Sequence, residues 1–338
     1  MDSLTQIILG AAVAEAVAGK KMGNKAALWG AVAGTIPDLD VLQNLILNPI
    51  DAAIFHRGFS HSILFAVLMG PLLGWLFFHL YKKRYERKLW IQLWFFGIIT
   101  HPMLDVFTNY GTQFFWPFKE RISFNSVFVI DPLYTVPFMI CLLVALFLRK
   151  DRPARRKWNW TGIIYSSLYL VWGVVVKLSI LSSSESYLKS QGLETRNTLV
   201  TPMPLTSFYW MILSEDDTNY YFAYKSLFYA FDAKQTVTYK KKNDLAKING
   251  NPNHLAYKLR FFSKGYNSSA LENDTLKFYD LRFGVLPAAI NQGKNSPIMG
   301  FGMVIDNNNV QKTFRIQGVR SFKELNFARY FNLIFSNE

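Results

Sequence analysis

Long apolar runs fill the first half of the chain and are nearly absent from the second half. Four of these runs are long enough to cross a bilayer, for which a helix needs roughly 20 residues. They cover residues 62–81, 89–106, 127–148 and 158–181. Two shorter runs, residues 4–19 and 26–36, are rich in alanine and glycine and predict a helical hairpin, since small residues let helices approach closely. Residues 1–182 are therefore predicted to form an all-α polytopic membrane bundle.

The second half, residues 183–338, has ordinary mixed sequence and predicts a separate extramembrane domain. Aromatic and aliphatic segments alternate with Asn- and Gly-rich turns, a pattern typical of an antiparallel, mostly β (α+β) fold. Strands are expected at residues 205–213, 220–231, 236–239, 257–263, 276–283, 300–305 and 310–317, with a helix near 321–331. This half contains no nucleophile triad, phosphate loop or metal signature.

The net charge of +14 is concentrated in short loops beside the apolar runs. Residues 82–88 and 149–157 are strongly basic, and Lys20, Lys21 and Lys25 mark the turn of the first hairpin. Because lysine and arginine collect in cytoplasmic loops, this pattern predicts that the C-terminal domain lies on the non-cytoplasmic side. The charge thus reflects membrane topology, and no nucleic-acid partner is expected. The single cysteine, Cys141, excludes an intrachain disulfide.

Three polar clusters interrupt the apolar half: IPDLD at residues 36–40, HRGFSHS at 56–62 and HPMLD at 101–105. Ionisable groups are costly at membrane depth, so several together indicate a working site. Imidazole and carboxylate are also ligands that zinc prefers. By the predicted orientation the clusters lie toward one membrane surface, and His101 and Asp105 share a helix face at i, i+4.

Each cluster also has a plainer interpretation that the sequence leaves open. The third could be a polar pair that locks two helices, or Asp105 could orient His101 indirectly. The second could be an interfacial loop of solvated histidines, with Ser60 capping the next helix. The first could be a solvated turn after Pro37. Two polar residues of the first apolar run, Gln6 and Glu15, could join a site or serve helix packing.

The order of the motifs, rather than any one of them, carries a family resemblance. Pro-Asp-x-Asp, His-Arg-Gly-x-Ser-His-Ser and His-x-x-x-Asp-x-x-Thr-x-x-Gly…Trp-Pro follow one another within residues 1 to about 145. This order resembles the bacterial membrane-bound metal-dependent hydrolases, a YdjM-like family also labelled LexA-binding inner-membrane proteins. Members often carry a histidine where this chain has Gln6. More remotely, the His-x-x-x-Asp helix is similar to zinc-dependent phospholipase C, whose later ligands have no counterpart here.

The resemblance implies an integral protein of the bacterial inner (cytoplasmic) membrane that holds one or two divalent metal ions, with Zn²⁺ favoured. The metal ligands would come from Asp38, His56, His61, His101 and Asp105. Asp40 would accept a proton from a metal-activated water, Arg57 would neutralise a phosphoester oxygen, and Thr108 and Asn109 would line the pocket.

The function expected from this chemistry is a membrane-embedded hydrolase acting on a phosphoester of a lipid or other amphiphilic substrate. Its expected partners are membrane lipids and that substrate. Two alternatives remain open at this stage. One is a non-enzymatic multispan scaffold or regulatory protein with a structural metal ion, and the other is an ion or solute pathway that uses the same intramembrane charges.

Overall fold

A computed structural model describes residues 1–231, 236–247, 252–286, 296–306, 309–317 and 326–336. The chain divides into two compact units. The first comprises Met1–Leu42, Phe55–Val175 and Pro204–Thr206, and the second comprises Gln43–Ile54, Val176–Met203 and Ser207–Glu338. The domain boundary expected between residues 182 and 183 falls inside a continuous helix, Pro153–Ser190.

The N-terminal half is helical, as predicted from its apolar runs. Its α-helices are α1 (Ser3–Met22), α2 (Asn24–Thr35), α3 (Pro49–Phe55), α4 (Ile63–Leu80), α5 (Arg87–Asp105), α6 (Pro132–Phe147) and α7 (Pro153–Ser190), with 3-10 helices at Pro37–Leu45 and Phe59–His61. Within the described residues, α4 and α7 are long and apolar enough to cross a membrane, and α6 is apolar but shorter. Crossing by α5 and α6 stays a prediction.

Helices α1 and α2 form the predicted hairpin because small residues line their contact. The Asp2 carboxylate caps α1 by accepting from the Thr5 amide at 3.0 Å. A Cβ on Gly10 would overlap the carbonyl oxygen of Gly30, and a Cβ on Gly34 would come within 2.5 Å of the carbonyl oxygen of Gln6. The two backbones therefore approach each other as closely as glycine allows.

Helices α4 and α5 pack against each other through a second small-residue contact. Gly70 lies against Phe95, and Gly74 lies against Ile91. The helical core contains fully buried aromatic and aliphatic side chains of α5 together with alanines of α1 and α2. These contacts fix α5, whose last turn carries His101 and Asp105, against the end of α2.

The second unit contains two four-stranded antiparallel sheets, which confirms a mostly β C-terminal region. One sheet has the order β1 (Asn197–Pro202), β2 (Tyr209–Glu215), β3 (Asn219–Ser226), β4 (Val237–Lys240), and the other has the order β5 (Asn267–Glu272), β6 (Thr275–Leu286), β7 (Ser296–Asp306), β8 (Asn309–Gln317). Side chains on one face of the first sheet pack with β6 and with α9 (Phe327–Phe335). Its other face packs on the C-terminal turns of α7.

One expected strand, residues 257–263, is wrong: this segment belongs to helix α8 (Pro252–Ser263). Leu259 and Phe262, three residues apart, are buried, whereas Tyr257 is exposed, so burial follows the helical period. The strands β1 and β5 were not expected from the sequence. The helix expected near 321–331 is observed as α9 from Phe327, and residues 321–325 lie outside the described residues.

Candidate metal centre

Three short segments bring the polar clusters together inside the helical unit. The 3-10 helix Pro37–Leu45 directly follows α2 and supplies Asp38 and Asp40. The 3-10 turn Phe59–His61 supplies His61 just before α4. The last turn of α5 supplies His101 and Asp105. Helix ends present these side chains at one level because α2, α4 and α5 pack beside one another.

Four side-chain atoms form a compact group, which we call the quartet: Asp38 Oδ1, His61 Nε2, His101 Nε2 and Asp105 Oδ2. The two imidazole nitrogens are 3.2 Å apart. Asp38 Oδ1 lies 3.3 Å from His61 Nε2 and 3.4 Å from His101 Nε2, and Asp105 Oδ2 lies 3.5 Å and 3.6 Å from the same atoms. Zinc with ligands at about 2.0–2.2 Å in a tetrahedron has ligand–ligand distances of roughly 3.3–3.6 Å. The ligand atoms of Asp38, His61 and His101, which all lie within 4.8 Å of one another, have spacings close to these, and Asp105 Oδ2 lies at similar distances from the two imidazole nitrogens.

The hydrogen bonds on the far side of each imidazole fix which nitrogen carries the proton. His101 Nδ1 lies 2.6 Å from the carbonyl oxygen of Gly34, which can only accept, so the proton is assigned to Nδ1. His61 Nδ1 lies 2.9 Å from Ser60 Oγ, and Ser60 donates its hydroxyl to Asp40 Oδ2 at 2.8 Å. Both Nε2 lone pairs then face each other. A cation between the rings, either a metal ion or a second proton on one imidazole, satisfies both nitrogens.

Asp40 lies on the side of His61 that faces away from the quartet. Its Oδ2 accepts from the Arg57 amide at 3.1 Å as well as from Ser60, and its Oδ1 lies 2.7 Å from His56 Nδ1. Burial would raise the pKa of Asp40, but the hydrogen bonds to His56 and His61 outweigh it and hold that pKa well below its usual range. The carboxylate is therefore ionised, and its contacts are those of a group that orients imidazoles.

Asp38 and His56 form the exposed edge of the site. Each side chain is 24% exposed, whereas those of His61, His101 and Asp105 are fully buried. Burial would raise the pKa of Asp38, yet hydrogen bonds with His101 and His61 hold it below its usual range. Burial lowers the pKa of His56 despite the bond to Asp40. Ligand atoms of Asp38, Asp40 and His56 also lie within 4.8 Å of one another, so they could hold a second ion.

Arg57 turns inward to the quartet. Its guanidinium Nε lies 3.1 Å from Asp105 Oδ2, and its Nη1 donates to Thr108 Oγ1 at 2.7 Å. Its Cζ lies 4.9 Å from the ring centre of Tyr110. The side chain is 4% exposed. The backbone turns at Arg57, which has φ +62°, just before the 3-10 turn Phe59–His61. Asn109, expected to line a pocket, is buried.

Gln6, which the sequence left open, supports the site, as do Met1 and Arg121, which the sequence analysis missed. Gln6 donates from Nε2 to Asp105 Oδ1 at 3.1 Å and to the His101 carbonyl at 3.3 Å, and the amino group of Met1 also contacts Asp105. Arg121 donates to the carbonyl oxygen of His56 at 3.1 Å. Ser60 is a hydrogen-bond relay and not the expected helix cap, a role that Ser62 takes by accepting from the Phe65 amide.

Glu15, which the sequence left open, pairs elsewhere. Its carboxylate receives two hydrogen bonds from Arg155 at 2.6 Å and 2.7 Å. It lies nine residues beyond Gln6 on α1, which is about 13 Å along a helix axis. Gln6 contacts Asp105 through its amide nitrogen, and its Oε1 has no hydrogen-bond partner among the described residues.

The part of the chain that contains this site is similar to a known protein family. The family model described as YdjM inner membrane protein matches residues 1–180, which contain the whole quartet. The uncharacterized protein YfhP of Bacillus subtilis (strain 168) is 26% identical over 182 residues, which cover 51% of this chain and 51% of YfhP. The chain thus spans about half the length of this curated relative. No solved structure matches the chain.

Proposed function

We propose that the chain, which belongs to the YdjM inner membrane protein family, is a polytopic membrane protein with a divalent metal centre that hydrolyses phosphoesters. The proposed membrane spans are α4 and α7, with α5 and α6 crossing beside them. The basic loops face the cytoplasm in this proposal, and the quartet and the C-terminal domain lie on the other side.

The observation that carries the metal proposal is the pair of facing imidazole nitrogens, His61 Nε2 and His101 Nε2, flanked by two carboxylate oxygens. Two nitrogens and two carboxylate oxygens are a donor set that suits Zn²⁺. Asp105 Oδ2 is buried, faces both imidazole nitrogens and forms an ion pair with Arg57 Nε at 3.1 Å, so this carboxylate is held in a position from which it could bind an ion. A bound divalent ion would supply Lewis acidity and lower the pKa of water near the site toward neutrality.

The residues at the exposed edge support hydrolysis. Asp40 holds the proton on Nδ1 of His56, and burial keeps His56 neutral, so its other ring nitrogen is free to accept a proton from water. We therefore place the proton acceptor at the Asp40–His56 pair rather than at Asp40 alone. Arg57, which holds Asp105 and Thr108, keeps that ligand carboxylate oriented.

An amphiphilic substrate is favoured by the apolar side chains around this edge. Leu39 and Leu42 lie on the same 3-10 helix as the two acidic residues and are 56% and 58% exposed. Phe59 packs on Trp116 with ring centres 5.0 Å apart and is itself 42% exposed, and Phe118 is 68% exposed. Exposed apolar groups beside a polar site suit a substrate with an acyl chain and a polar head.

A second candidate, a structural ion in a non-enzymatic protein, is favoured by one observation. The quartet offers four protein ligands, and structural zinc sites are closed by four, whereas catalytic ones keep a position open. Under this candidate, Asp38 stays bound and no water reaches the ion. Metal content alone does not separate the two candidates, but activity does.

The metal proposal is tested by elemental analysis of the full-length protein purified in detergent. We expect about one equivalent of zinc or a related divalent metal per chain, lost in His61→Ala and His101→Ala because each removes an imidazole ligand. His79→Ala is the matched control, since His79 is exposed at the end of α4. Wild-type protein without metal, or full metal content in His101→Ala, would refute the centre.

The hydrolase proposal is tested with a panel of lipid and soluble phosphoesters, with and without chelator. We expect hydrolysis that the chelator abolishes, and we expect His56→Gln to keep bound metal but lose activity by about 10²–10⁴-fold, the usual contribution of a general base. Metal-loaded protein that hydrolyses none of the panel would instead favour the structural ion.

A further inference from the structure

A basic cleft of about 530 Å³ opens beside the start of α7, within the helical unit. Its lining includes Lys21, which pairs with Glu86, and Asp151, which pairs with Arg149. Four further exposed cations line it: Lys20 from the end of α1, Lys150 and Arg152 from the loop after α6, and Arg156 from the first turn of α7. None of these four has an ion-pair partner among the described residues. The N-terminus of α7, which begins at Pro153, adds the positive end of a helix dipole.

The floor of the cleft is a buried ion pair that leaves these cations available. Arg155 donates to both carboxylate oxygens of Glu15, and its Nη1 donates to Asn24 Oδ1 at 2.7 Å and to the Leu148 carbonyl at 2.8 Å. Arg155 is 3% exposed and Glu15 is 7% exposed. The Arg155 charge is therefore neutralised within the protein, and the pair ties α1 to α7 beneath the exposed cations.

Asn159 points to a ligand in this cleft. It lines the cleft and is 2% exposed. Its Nδ2 donates to the Ala12 carbonyl at 2.9 Å, while its Oδ1 has no hydrogen-bond partner among the described residues. A buried amide oxygen without a donor is costly. The cleft thus offers cations for an anionic group and, beside them, an acceptor for a hydroxyl group.

Two exposed tryptophans indicate where the ligand comes from. Trp158 and Trp160, in the first turns of α7, are each 41% exposed. Tryptophan concentrates at the membrane–water interface, and basic pockets there bind anionic lipid headgroups. We infer that the cleft binds the phosphate of an anionic phospholipid whose headgroup carries a hydroxyl, as phosphatidylglycerol does, and that the exposed cations hold the phosphate.

The test is native mass spectrometry of the full-length protein in detergent, with phosphatidylglycerol, phosphatidylcholine and free glycerol 3-phosphate as separate probes. The variant Lys20→Gln/Arg156→Gln removes two cleft cations and leaves the Arg155–Glu15 pair intact. The control Lys82→Gln/Lys83→Gln removes the same charge from the exposed loop after α4, which does not line the cleft.

We expect the wild type to retain phosphatidylglycerol over phosphatidylcholine, and the cleft variant to bind it at least about tenfold more weakly, with little change in the control. An equal loss in both variants would overturn the cleft as a site, because the binding would then follow net charge alone. Binding of glycerol 3-phosphate as tight as that of the lipid would overturn the lipid assignment.

Discussion

The three aspartates of the centre are chemically identical, and their contacts give them different roles. Asp38 and Asp105 each direct one oxygen at the two imidazoles. Asp40 instead receives the Arg57 amide, Ser60 and His56. Position relative to the two histidines therefore separates the proposed ligands from the proposed orienting group. The one-residue spacing between Asp38 and Asp40 places them on either side of His61.

Much of this residue set was predictable, because ionisable residues are rare in long apolar segments and are costly there unless they serve a function. The hydrogen bonds that connect these residues were not predictable. The sequence suggested His56 as a metal ligand and Asp40 as a base that acts alone. The hydrogen bond between these two residues depends on the turn at Arg57, and no sequence motif predicts the positive φ of that residue. The hydrogen bond from His101 to the Gly34 carbonyl was also not predictable, because every residue has a backbone carbonyl and the residue type does not show which one accepts.

At the residue scale we predict that Asp40→Asn weakens zinc binding by about 10–100-fold, the usual effect of losing a group that orients a ligand imidazole. The amide can still accept from Ser60, but it no longer provides a charged partner for the two histidines. Competition titration against a chromophoric chelator measures the effect. Asp151→Asn, an exposed position that pairs with Arg149, is the control. Unchanged affinity in Asp40→Asn would show that Asp40 does not support the ligands.

At the scale of elements, the α1–α2 hairpin links packing to the centre. The close contact of Gly10 with Gly30 holds α2 against α1, and α2 carries the Gly34 carbonyl that accepts from His101. The same hairpin places Gln6 of α1 on Asp105. Small residues at this contact therefore help to position two of the proposed metal ligands, His101 and Asp105.

We predict that Gly10→Val destabilises the protein by about 1–3 kcal/mol, because the added methyl groups overpack the helix contact. Zinc affinity should fall with it, since Gly34 moves away from His101. Thermal unfolding in detergent and the chelator titration measure the two effects. Ala16→Val enlarges an exposed position of the same helix and should change neither. A Gly10→Val protein with wild-type stability would contradict this contact.

The β2–β3 hairpin has its own pH-sensitive element. Asp216 accepts from the Tyr221 hydroxyl and from the amides of Asn219 and Thr218, and these bonds hold its pKa well below the usual range. Because the pKa of Asp216 is lower in the folded state, its ionised carboxylate stabilises the hairpin at pH values above the pKa of the unfolded chain, about 3.9. This stabilisation is lost as the pH falls below that value toward the pKa of the folded state.

We therefore predict that Asp216→Asn lowers the melting temperature at pH 7 and that its difference from the wild type narrows below about pH 4. The comparison of both proteins at each pH cancels titration elsewhere in the chain. A difference that stays constant from pH 7 to pH 3 would show that the ionised carboxylate does not stabilise the turn.

Secondary structure was easier to predict in the long apolar runs than in segments that are rich in aromatic residues. Long apolar runs gave helices α4 to α7 within a few residues in most cases. The segment 257–263 was wrong because its aromatic residues resemble a strand, while burial of Leu259 and Phe262 follows a helix. Strand β1 begins only seven residues after α7 ends, and the polar sequence between them carries no strand signal.

For the whole molecule, the uneven charge makes the orientation testable. The family match covers residues 1–180, and the two sheets lie beyond it. The family assignment therefore rests on the helical half of the chain alone. The basic loops fix the proposed orientation, with the loop after α4 in the cytoplasm and the β2–β3 turn outside.

We predict that, in a Cys141→Ser background, Thr218→Cys reacts with a membrane-impermeant maleimide in spheroplasts, whose cytoplasmic membrane is intact. Lys83→Cys should react only after permeabilisation. Both positions are exposed, so accessibility to reagent reports the side of the membrane rather than burial. The reverse pattern, or equal labelling of both, would overturn the orientation.

X-ray absorption at the metal edge of the purified, metal-loaded protein tests the central claim most directly. The account predicts a shell of four nitrogen and oxygen ligands at about 2.0–2.2 Å that includes two imidazoles, with imidazole scattering reduced by half in His61→Ala or lost with the metal itself. A shell without imidazole, or one unchanged in His61→Ala, would contradict a metal centre built on the quartet.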